Sequence, residues 1–209
     1  MKHTNTQGLL IIISAPSGAG KTTICKRLLN EFPDLRFSVS CTTRPPRKDE
    51  KDGEDYHFIS VKDFKDRIEK NEFVEWEEIY DHFYGTSRKD IEGLSQRGYD
   101  VILDIDTKGA GNVKARYPEG VFVFIMPPSA EILRERLKKR GSETDHIIKM
   151  RFDRAMGEIR ENEWYDYVIF NDIISDSVDI MRSIYIAEKN RRSRLQTRIN
   201  NFYQITGGI

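Results

Sequence analysis

The chain has 209 residues, which suits one domain with an insertion, or two small lobes, around a sizeable core. Its 34 basic and 34 acidic residues cancel, so no net charge draws it to nucleic acid or to a membrane surface. No apolar run approaches the roughly 20 residues of a membrane span, and two cysteines without metal-ligand spacing favour a reducing compartment, so we expect a cytoplasmic protein.

Four short segments predict the strands of a parallel sheet. Each is apolar throughout rather than alternating, which is typical of strands that helices cover on both faces. The segments are residues 9–14, 100–105, 121–126 and 167–170.

Helical patterns lie between and after these segments. One helix begins at about Lys21, directly after a glycine-rich turn. Another begins at Ser87, where SRKD indicates a capping box, and Gly98 indicates its end. The remaining signals are N-caps at Thr107 and Ser129 and helical periodicity over residues 145–163 and 175–200. This alternation of strands and helices predicts an α/β fold with a parallel sheet flanked by helices.

Two regions interrupt the alternation. Residues 38–87 contain short strand patterns around one helical pattern, which predicts a small inserted lobe of mixed α/β structure. Residues 136–151 are basic and interrupted by Gly141, which predicts a mobile lid. The core would then comprise residues 1–37, 88–135 and 152–209.

The stretch SAPSGAGKTT, residues 14–23, nearly fits the phosphate-binding pattern G-x-x-x-x-G-K-[ST], and we call it the phosphate loop. Gly18 and Gly20 occupy the places where the backbone comes closest to phosphate. Lys21 would reach the β- and γ-phosphates, and the Thr22 hydroxyl would bind Mg²⁺. Ala15 replaces the first glycine, at a cost of about 1 kcal/mol if its φ is positive and little if its φ is negative. We expect the loop to bind a nucleoside triphosphate; the alternative is a chance glycine turn between a strand and a helix.

Further motifs extend the pattern over nearly the whole chain: SVSCTTRPPR, DYHFIS, EFVEWEE, FYGTS, LDID, PPS, RLKKRG and VIFND. In order and spacing they resemble the guanylate kinase family, several bacterial members of which also carry alanine at the start of the loop. The resemblance implies a P-loop NTPase-type core, a small inserted GMP-binding lobe and a helical lid. It implies the reaction ATP + GMP ⇌ ADP + GDP with Mg²⁺, in purine nucleotide metabolism. One departure is Ile173, where the family more often has an acidic residue after Asn-Asp.

The resemblance also implies roles for individual residues. ATP would contact Ala15, Pro16, Ser17, Gly18, Ala19, Gly20, Lys21 and Thr22, with Asn171 near its base. The GMP phosphate would contact Arg44, Arg47, Tyr56 and Tyr84, and the guanine Ser40, Glu75, Thr86 and Asp106. The catalytic group would be Lys21, Arg44, Arg136, Arg140 and Arg151, and the Mg²⁺ ligands Thr22 and, through water, Asp104.

Elementary chemistry supports several of these roles. Arg44 and Arg47 offer planar guanidinium groups that bind phosphate in a bidentate manner, although an ordinary solvated basic turn is the alternative. Guanine presents N1–H and N2–H₂ donors, which suit a carboxylate acceptor such as Glu75. The neighbouring Glu77 cannot be distinguished from Glu75 by composition. For the arginines of the lid, the alternative to a catalytic role is ordinary surface charge.

Two other functions compete with a GMP kinase. A kinase for another small phosphorylated acceptor is disfavoured by the expected base contact of Glu75. An interaction module is disfavoured by the intact Gly18, Gly20, Lys21 and Thr22. The basic stretch 189–198 is interpreted as a solvated helix face, so neither nucleic acid nor membrane is expected as a partner. The sequence leaves open whether dGMP is accepted and whether the chain forms a homo-oligomer.

Overall fold

The computed structural model describes residues 8–79, 81–139 and 145–205, with the side chain of residue 205 left aside. Its strands, in chain order, are β1 (Leu10–Ser14), β2 (Leu35–Phe37), β3 (Cys41–Thr42), β4 (His57–Phe58), β5 (Phe73–Ile79), β6 (His82–Ser87), β7 (Asp100–Asp104), β8 (Val121–Met126) and β9 (Tyr167–Phe170). Five of them form one parallel sheet in the order β2-β7-β1-β8-β9. The predicted parallel sheet is therefore confirmed.

The helices are α1 (Lys21–Glu31), α2 (Val61–Glu69), α3 (Arg88–Gln96), α4 (Thr107–Arg116), α5 (Ala130–Lys139), α6 (Asp145–Arg160), α7 (Ile174–Lys189) and α8 (Gln196–Ile205). The predicted starts at Lys21 and after Ser87 are confirmed, and the Ser87 hydroxyl accepts a hydrogen bond from the Asp90 N–H at 3.3 Å. Ser129 caps α5 by accepting from the Ile132 N–H at 3.2 Å. No helix within the described ranges is long and apolar enough to cross a membrane.

The predicted N-cap at Thr107 is wrong. Thr107 is the first residue of α4, and the N-cap is Asp106, whose carboxylate accepts from the Gly109 N–H at 2.8 Å. The helical periodicity predicted over 175–200 corresponds to two helices, because α7 ends with Asn190 as its C-cap and a turn precedes α8. Strand β2 was not predicted, because three residues at the sheet edge with Arg36 in the middle carry no clear apolar run.

The central strand β1 is buried on both faces, which explains its unbroken apolar sequence. Ile11 and Ile13 pack with α1 and α7 on one side of the sheet, while Ile12 packs with Phe122 and Phe124 on the other. The register pairs Ile13 with Asp104, so the phosphate loop and the end of β7 leave the sheet side by side. Functional groups that follow these two strands therefore meet at one edge of the sheet.

A second sheet lies within residues 38–87, the region predicted as an inserted lobe. It has four strands in the order β4-β3-β6-β5, with an irregular register between Phe73 and Glu75. Its small core contains Cys41, Phe64 and Phe73. Helix α4 of the core packs against β5, so one side of this sheet faces the carboxyl ends of the parallel strands.

Candidate active site

The phosphate loop adopts the conformation that its glycines permit. Gly18 and Gly20 have φ values of 93° and 97°, in the left-handed region that favours glycine. Among the described residues only Asn71 and Asp81 combine a side chain with positive φ, so Ala15 carries its methyl group without this backbone strain. Helix α1 begins immediately after Gly20, and no side chain caps the N–H groups of its first turn. This arrangement can bind an anion.

The loop is supported from behind by Asn171, which follows β9 and is buried. The Asn171 Nδ2 donates a hydrogen bond to the Ala19 carbonyl at 2.6 Å. A Cβ atom at Gly20 would lie only 2.2 Å from that nitrogen, so this glycine is also required by close packing.

Lys21 lies between the phosphate loop and the end of β7. Its Nζ forms an ion pair with Asp104 and donates to the Ile105 carbonyl at 3.2 Å. Burial lowers the pKa of Lys21, but the charge of Asp104 outweighs burial, so the pKa lies above its ordinary value and the amine stays charged. A fixed cation therefore stands beside the anion-binding loop.

Glu75 and Thr86 lie opposite each other on β5 and β6. Glu75 is buried, and the Thr86 hydroxyl donates a short hydrogen bond to it. Its other oxygen, Oε2, lies against the start of α4, where a Cβ on Gly109 would come within 2.8 Å. Burial raises the pKa of Glu75 to about 7, with a further rise from Asp106. A carboxylate held in this way can accept hydrogen bonds from a ligand that supplies donors.

Glu77 follows on the same face of β5 and is half-buried. Its Oε1 pairs with Lys108 at 3.4 Å, while no donor among the described residues reaches its buried Oε2. Burial and the neighbouring Asp106 raise the pKa of Glu77 to about 7. Burial raises the pKa of Asp106 too, but hydrogen bonds and Arg154 outweigh it, so that pKa lies below its ordinary value. Three carboxyl groups thus converge where the second sheet meets α4.

A basic and aromatic cluster lies beside these carboxyl groups, since Tyr84 on β6 pairs with Glu77 on β5. The Arg44 Nη2 pairs with Glu50 at 2.8 Å, and its guanidinium carbon lies 5.6 Å from the centre of the Tyr56 ring. Tyr56 and Tyr84 have ring centres 6.0 Å apart. Hydrogen bonds to Glu50 and, to a smaller extent, to Tyr84 raise the pKa of Arg44. Glu50 also accepts from the Arg47 N–H at 2.8 Å. The cluster therefore holds a guanidinium and tyrosine hydroxyls in one place.

Ser40 lies next to this cluster, just before β3. Its carbonyl accepts a hydrogen bond from the His57 N–H at 2.9 Å. The backbone of Ser40 is thereby tied to β4 within the second sheet.

Sequence reasoning missed Glu50, because nothing in KDEK indicates that this acidic residue folds back onto the arginines.

The predicted lid arginines occupy different surroundings. The Arg151 Nη2 donates to the Ser17 Oγ of the phosphate loop at 2.9 Å. The Arg136 Nη2 donates to the Asn171 carbonyl at 3.4 Å. Arg140 lies outside the described residues. Arg154, which sequence reasoning missed, pairs with Glu158 at 2.9 Å and with Asp106 at 3.5 Å.

One cleft joins the phosphate loop to part of the second sheet's region and to α6, while Glu75 and Glu77 line a separate cavity of about 550 Å³ on the α4 side. A cavity of about 770 Å³ is lined by the phosphate loop, by Arg47 and Tyr56 of the second sheet's region, and by Met150, Arg151 and Arg154 of α6. A larger cavity of about 890 Å³ lies between α2 and α3, away from the loop, and lacks these groups. Of these last two cavities, only the smaller one brings the phosphate loop together with Arg47, Arg151 and Arg154.

Comparison with known proteins agrees with this geometry. The family model described as guanylate kinase matches residues 7–188. A guanylate kinase of Geobacter metallireducens is 51% identical over 189 residues, covering 90% of this chain and 93% of that protein. One of Caldanaerobacter subterraneus is 50% identical over 188 residues, covering 90% and 91%. The crystal structure of guanylate kinase from Anaplasma phagocytophilum is 34% identical, with a TM-score of 0.76 over 91% of this chain and 90% of that one.

Proposed function

The chain belongs to the guanylate kinase family, and from that premise we propose that it transfers the γ-phosphoryl group of ATP to GMP, giving ADP and GDP. One observation carries the proposal: the chain from Asp104 to Gly109 connects the two sites, because Lys21 pairs with Asp104 at one end of it and the Glu75 carboxylate, held by Thr86, lies against Gly109 at the other. The first suits a triphosphate, and the second suits the donor edge of guanine.

On the donor side, the backbone N–H groups from Gly18 to the first turn of α1 would hold the ATP phosphates. Lys21 would neutralise the charge that builds up on the transferring group. Its present partner Asp104 keeps the amine charged until phosphate oxygens compete for it. We expect this exchange to bring the lysine into the cleft.

On the acceptor side, Arg44 and Arg47 would bind the GMP phosphate together with Tyr56 and Tyr84. In the structure the Glu50 carboxylate pairs with the Arg44 guanidinium and restrains it. Little side-chain ordering then remains to be done on binding. The phosphate would replace or share this carboxylate contact.

Guanine recognition would fall to Glu75, with Thr86, Ser40 and Asp106 around it. The Thr86 hydroxyl fixes the carboxylate, which then accepts from N1–H and N2–H₂ of the base. Because Glu75 is buried, a base without donors at positions 1 and 2 would leave a costly unpaired carboxylate. The site would thereby select guanine over adenine.

Closure of the cleft is assigned to two segments, residues 38–87 as the GMP-binding lobe and residues 136–151 as the lid. Arg151 already contacts the loop residue Ser17, and Arg136 lies against the backbone of Asn171. With Arg140, they would surround the phosphoryl group once water is excluded.

Mg²⁺ fits the oxygen donors of this cleft. No cluster of three or more His, Cys, Asp or Glu side chains able to hold a metal occurs within the described part of the chain. The Thr22 hydroxyl and the Asp104 carboxylate are hard oxygen ligands of the kind that a hydrated Mg²⁺ accepts alongside phosphates. When bound, the ion would neutralise phosphate charge. Thr22 would bind it directly and Asp104 through water.

We assign the reaction to the cytoplasm. Cys25 and Cys41 are both free and buried, as expected of structural thiols in a reducing compartment.

A phosphoryl-transfer assay with ATP against GMP, dGMP, AMP, CMP and UMP tests the proposal. We expect turnover of GMP and dGMP, because the assigned residues address base and phosphate rather than the ribose 2′-hydroxyl. Equal turnover of AMP would favour a kinase of another acceptor. Binding of GMP without turnover in the presence of Mg²⁺ and ATP would favour an interaction module.

A further inference from the structure

Asn171 and Ser177 form a buried hydrogen-bonded pair directly behind the phosphate loop. They are 4% and 1% exposed. The Ser177 hydroxyl donates to the Asn171 Oδ1 at 3.0 Å, and the Asn171 Nδ2 donates to the Ala19 carbonyl at 2.6 Å. A continuous path of hydrogen bonds thus leads from the first turn of α7 to the loop.

The two ends of the carboxamide differ, which fixes its orientation. The Ala19 carbonyl can only accept, so the amide nitrogen must face it. The Ser177 hydroxyl also lies 3.2 Å from the Ile173 carbonyl, but the Asn171 Oδ1 is its nearer acceptor. The Asn171 N–H is itself tied to the Met126 carbonyl at 2.8 Å.

The loop has no room to move towards this carboxamide. Gly20 has a positive φ, and a Cβ atom there would lie 2.2 Å from the Asn171 nitrogen. A change in the position of Asn171 would therefore shift the backbone that carries the first N–H groups of α1. When a nucleoside triphosphate is bound, those groups would contact its phosphates and not its base.

We propose that Asn171 is a positioning residue for the phosphate loop, that Ser177 orients it, and that the pair acts on the triphosphate of any donor rather than by reading adenine. The inference rests on the proposed function only in taking a nucleoside triphosphate as donor. It gives Asn171 a role through the loop, whereas the family resemblance implies a place near the ATP base.

Equilibrium binding of ATP and of inorganic tripolyphosphate separates the two roles. Asn171→Ala removes the donor to Ala19, and we expect affinity for both ligands to fall by the same factor, about tenfold to a hundredfold. Ser177→Ala leaves the amide in place but unoriented, and we expect a loss of about threefold to tenfold for both. GMP affinity should stay within about twofold of the wild-type value.

Ser183→Ala is the matched control, since Ser183 is an exposed serine of the same helix whose hydroxyl donates to the Asp179 carbonyl at 2.8 Å. It should change neither affinity. Weaker ATP binding with unchanged tripolyphosphate binding would overturn the proposal in favour of base reading. If Asn171→Ala fails to fold, Ser177→Ala decides alone, and unchanged affinities in it would also overturn the proposal. A wild-type protein that binds tripolyphosphate but does not phosphorylate GMP would reject the proposed function and leave this inference standing.

Discussion

Thr86 and Glu75 face each other across antiparallel strands, and the Thr86 hydroxyl holds one oxygen of the buried Glu75 carboxylate. A hydroxyl has a single proton to donate, so the rest of the carboxylate keeps its acceptor capacity. Burial makes that spare capacity costly, as the raised pKa of about 7 indicates. A ligand that brings donors would satisfy this carboxylate.

The first prediction concerns specificity for guanine. Adenine has no N2 amino group and presents a lone pair at N1, so AMP would leave Glu75 unpaired. We expect GMP to exceed AMP by at least about 10³ in kcat/KM. Glu75→Gln keeps the shape but loses the charge and one acceptor, so GMP turnover should fall and discrimination should shrink. Steady-state kinetics with both acceptors measures it.

Glu77→Gln is the matched control for this experiment. Glu77 lies two residues further along the same face of β5 but is half-buried and pairs with Lys108. It should change the GMP preference by less than about tenfold. If Glu77→Gln abolishes the preference and Glu75→Gln leaves it intact, the assignment of the guanine site to Glu75 is wrong.

The second prediction concerns stability and pH. The Glu75 pKa is about 7 in the folded protein, against about 4.3 in an unfolded chain. A folded-state pKa raised in this way means that the native state binds the proton more tightly. The Glu75 contribution to stability is therefore lost as pH rises from about 4.3 towards about 7, and it changes little above that.

Glu75→Gln should remove this dependence of the free energy of unfolding on pH. As pH rises from about 5 to about 8, the Glu75 titration should lower the free energy of unfolding of the wild type by about 2–3 kcal/mol. The variant should lack this part of the loss, as urea unfolding at each pH would show. Glu78→Gln, an exposed position on the same strand, should keep the wild-type slope. Equal slopes in the wild type and Glu75→Gln would mean that Glu75 titrates normally in the folded protein.

The third prediction concerns Lys21. Removing one preorganised cation from the transferring phosphoryl group should lower kcat by a factor on the order of 10² or more, with the fold intact. The variant is Lys21→Ala, with kcat measured by steady-state kinetics and the fold by circular dichroism. Lys26→Ala changes an exposed lysine of the same helix and should leave kcat unchanged. Near-wild-type turnover in folded Lys21→Ala would reject this role.

The parallel sheet and the phosphate loop could be predicted because their signals are local. An unbroken apolar run and a glycine-rich turn are visible within a few residues of sequence, as in residues 9–23. The Glu75 environment could not be derived in this way, since Glu75 and Glu77 differ in burial and in their partners Thr86 and Lys108, and tertiary packing decides both. Arg154 was missed for a similar reason, because its partner Asp106 is 48 residues away and only tertiary packing joins them.

The N-cap of α4 shows that sequence patterns can also fail to distinguish adjacent residues. Thr107 and Asp106 are both good N-cap residues, and pattern alone cannot choose between neighbours. Asp106 is the N-cap because β7 ends two residues before it, and the Asp106 carboxylate then faces the Gly109 N–H.

The last prediction concerns Ile173, the departure from the usual family pattern. Ile173 is the N-cap of α7, with extended φ and ψ of −118° and 124°, and its side chain provides no capping hydrogen bond. It is 58% exposed, so replacing it loses little apolar burial. Ile173→Asn should supply the missing acceptor and raise the free energy of unfolding by about 1 kcal/mol, measured as a higher urea midpoint at unchanged slope. Ile173→Asp adds an interaction with the helix dipole, but Asp172 and Asp176 repel the new charge, so we expect no larger gain. Ile173→Ala is the control, because it removes the exposed apolar side chain without adding an acceptor. A stabilisation by Ala equal to that by Asn would show that exposure of Ile173, and not the missing cap, limits the stability of this helix end.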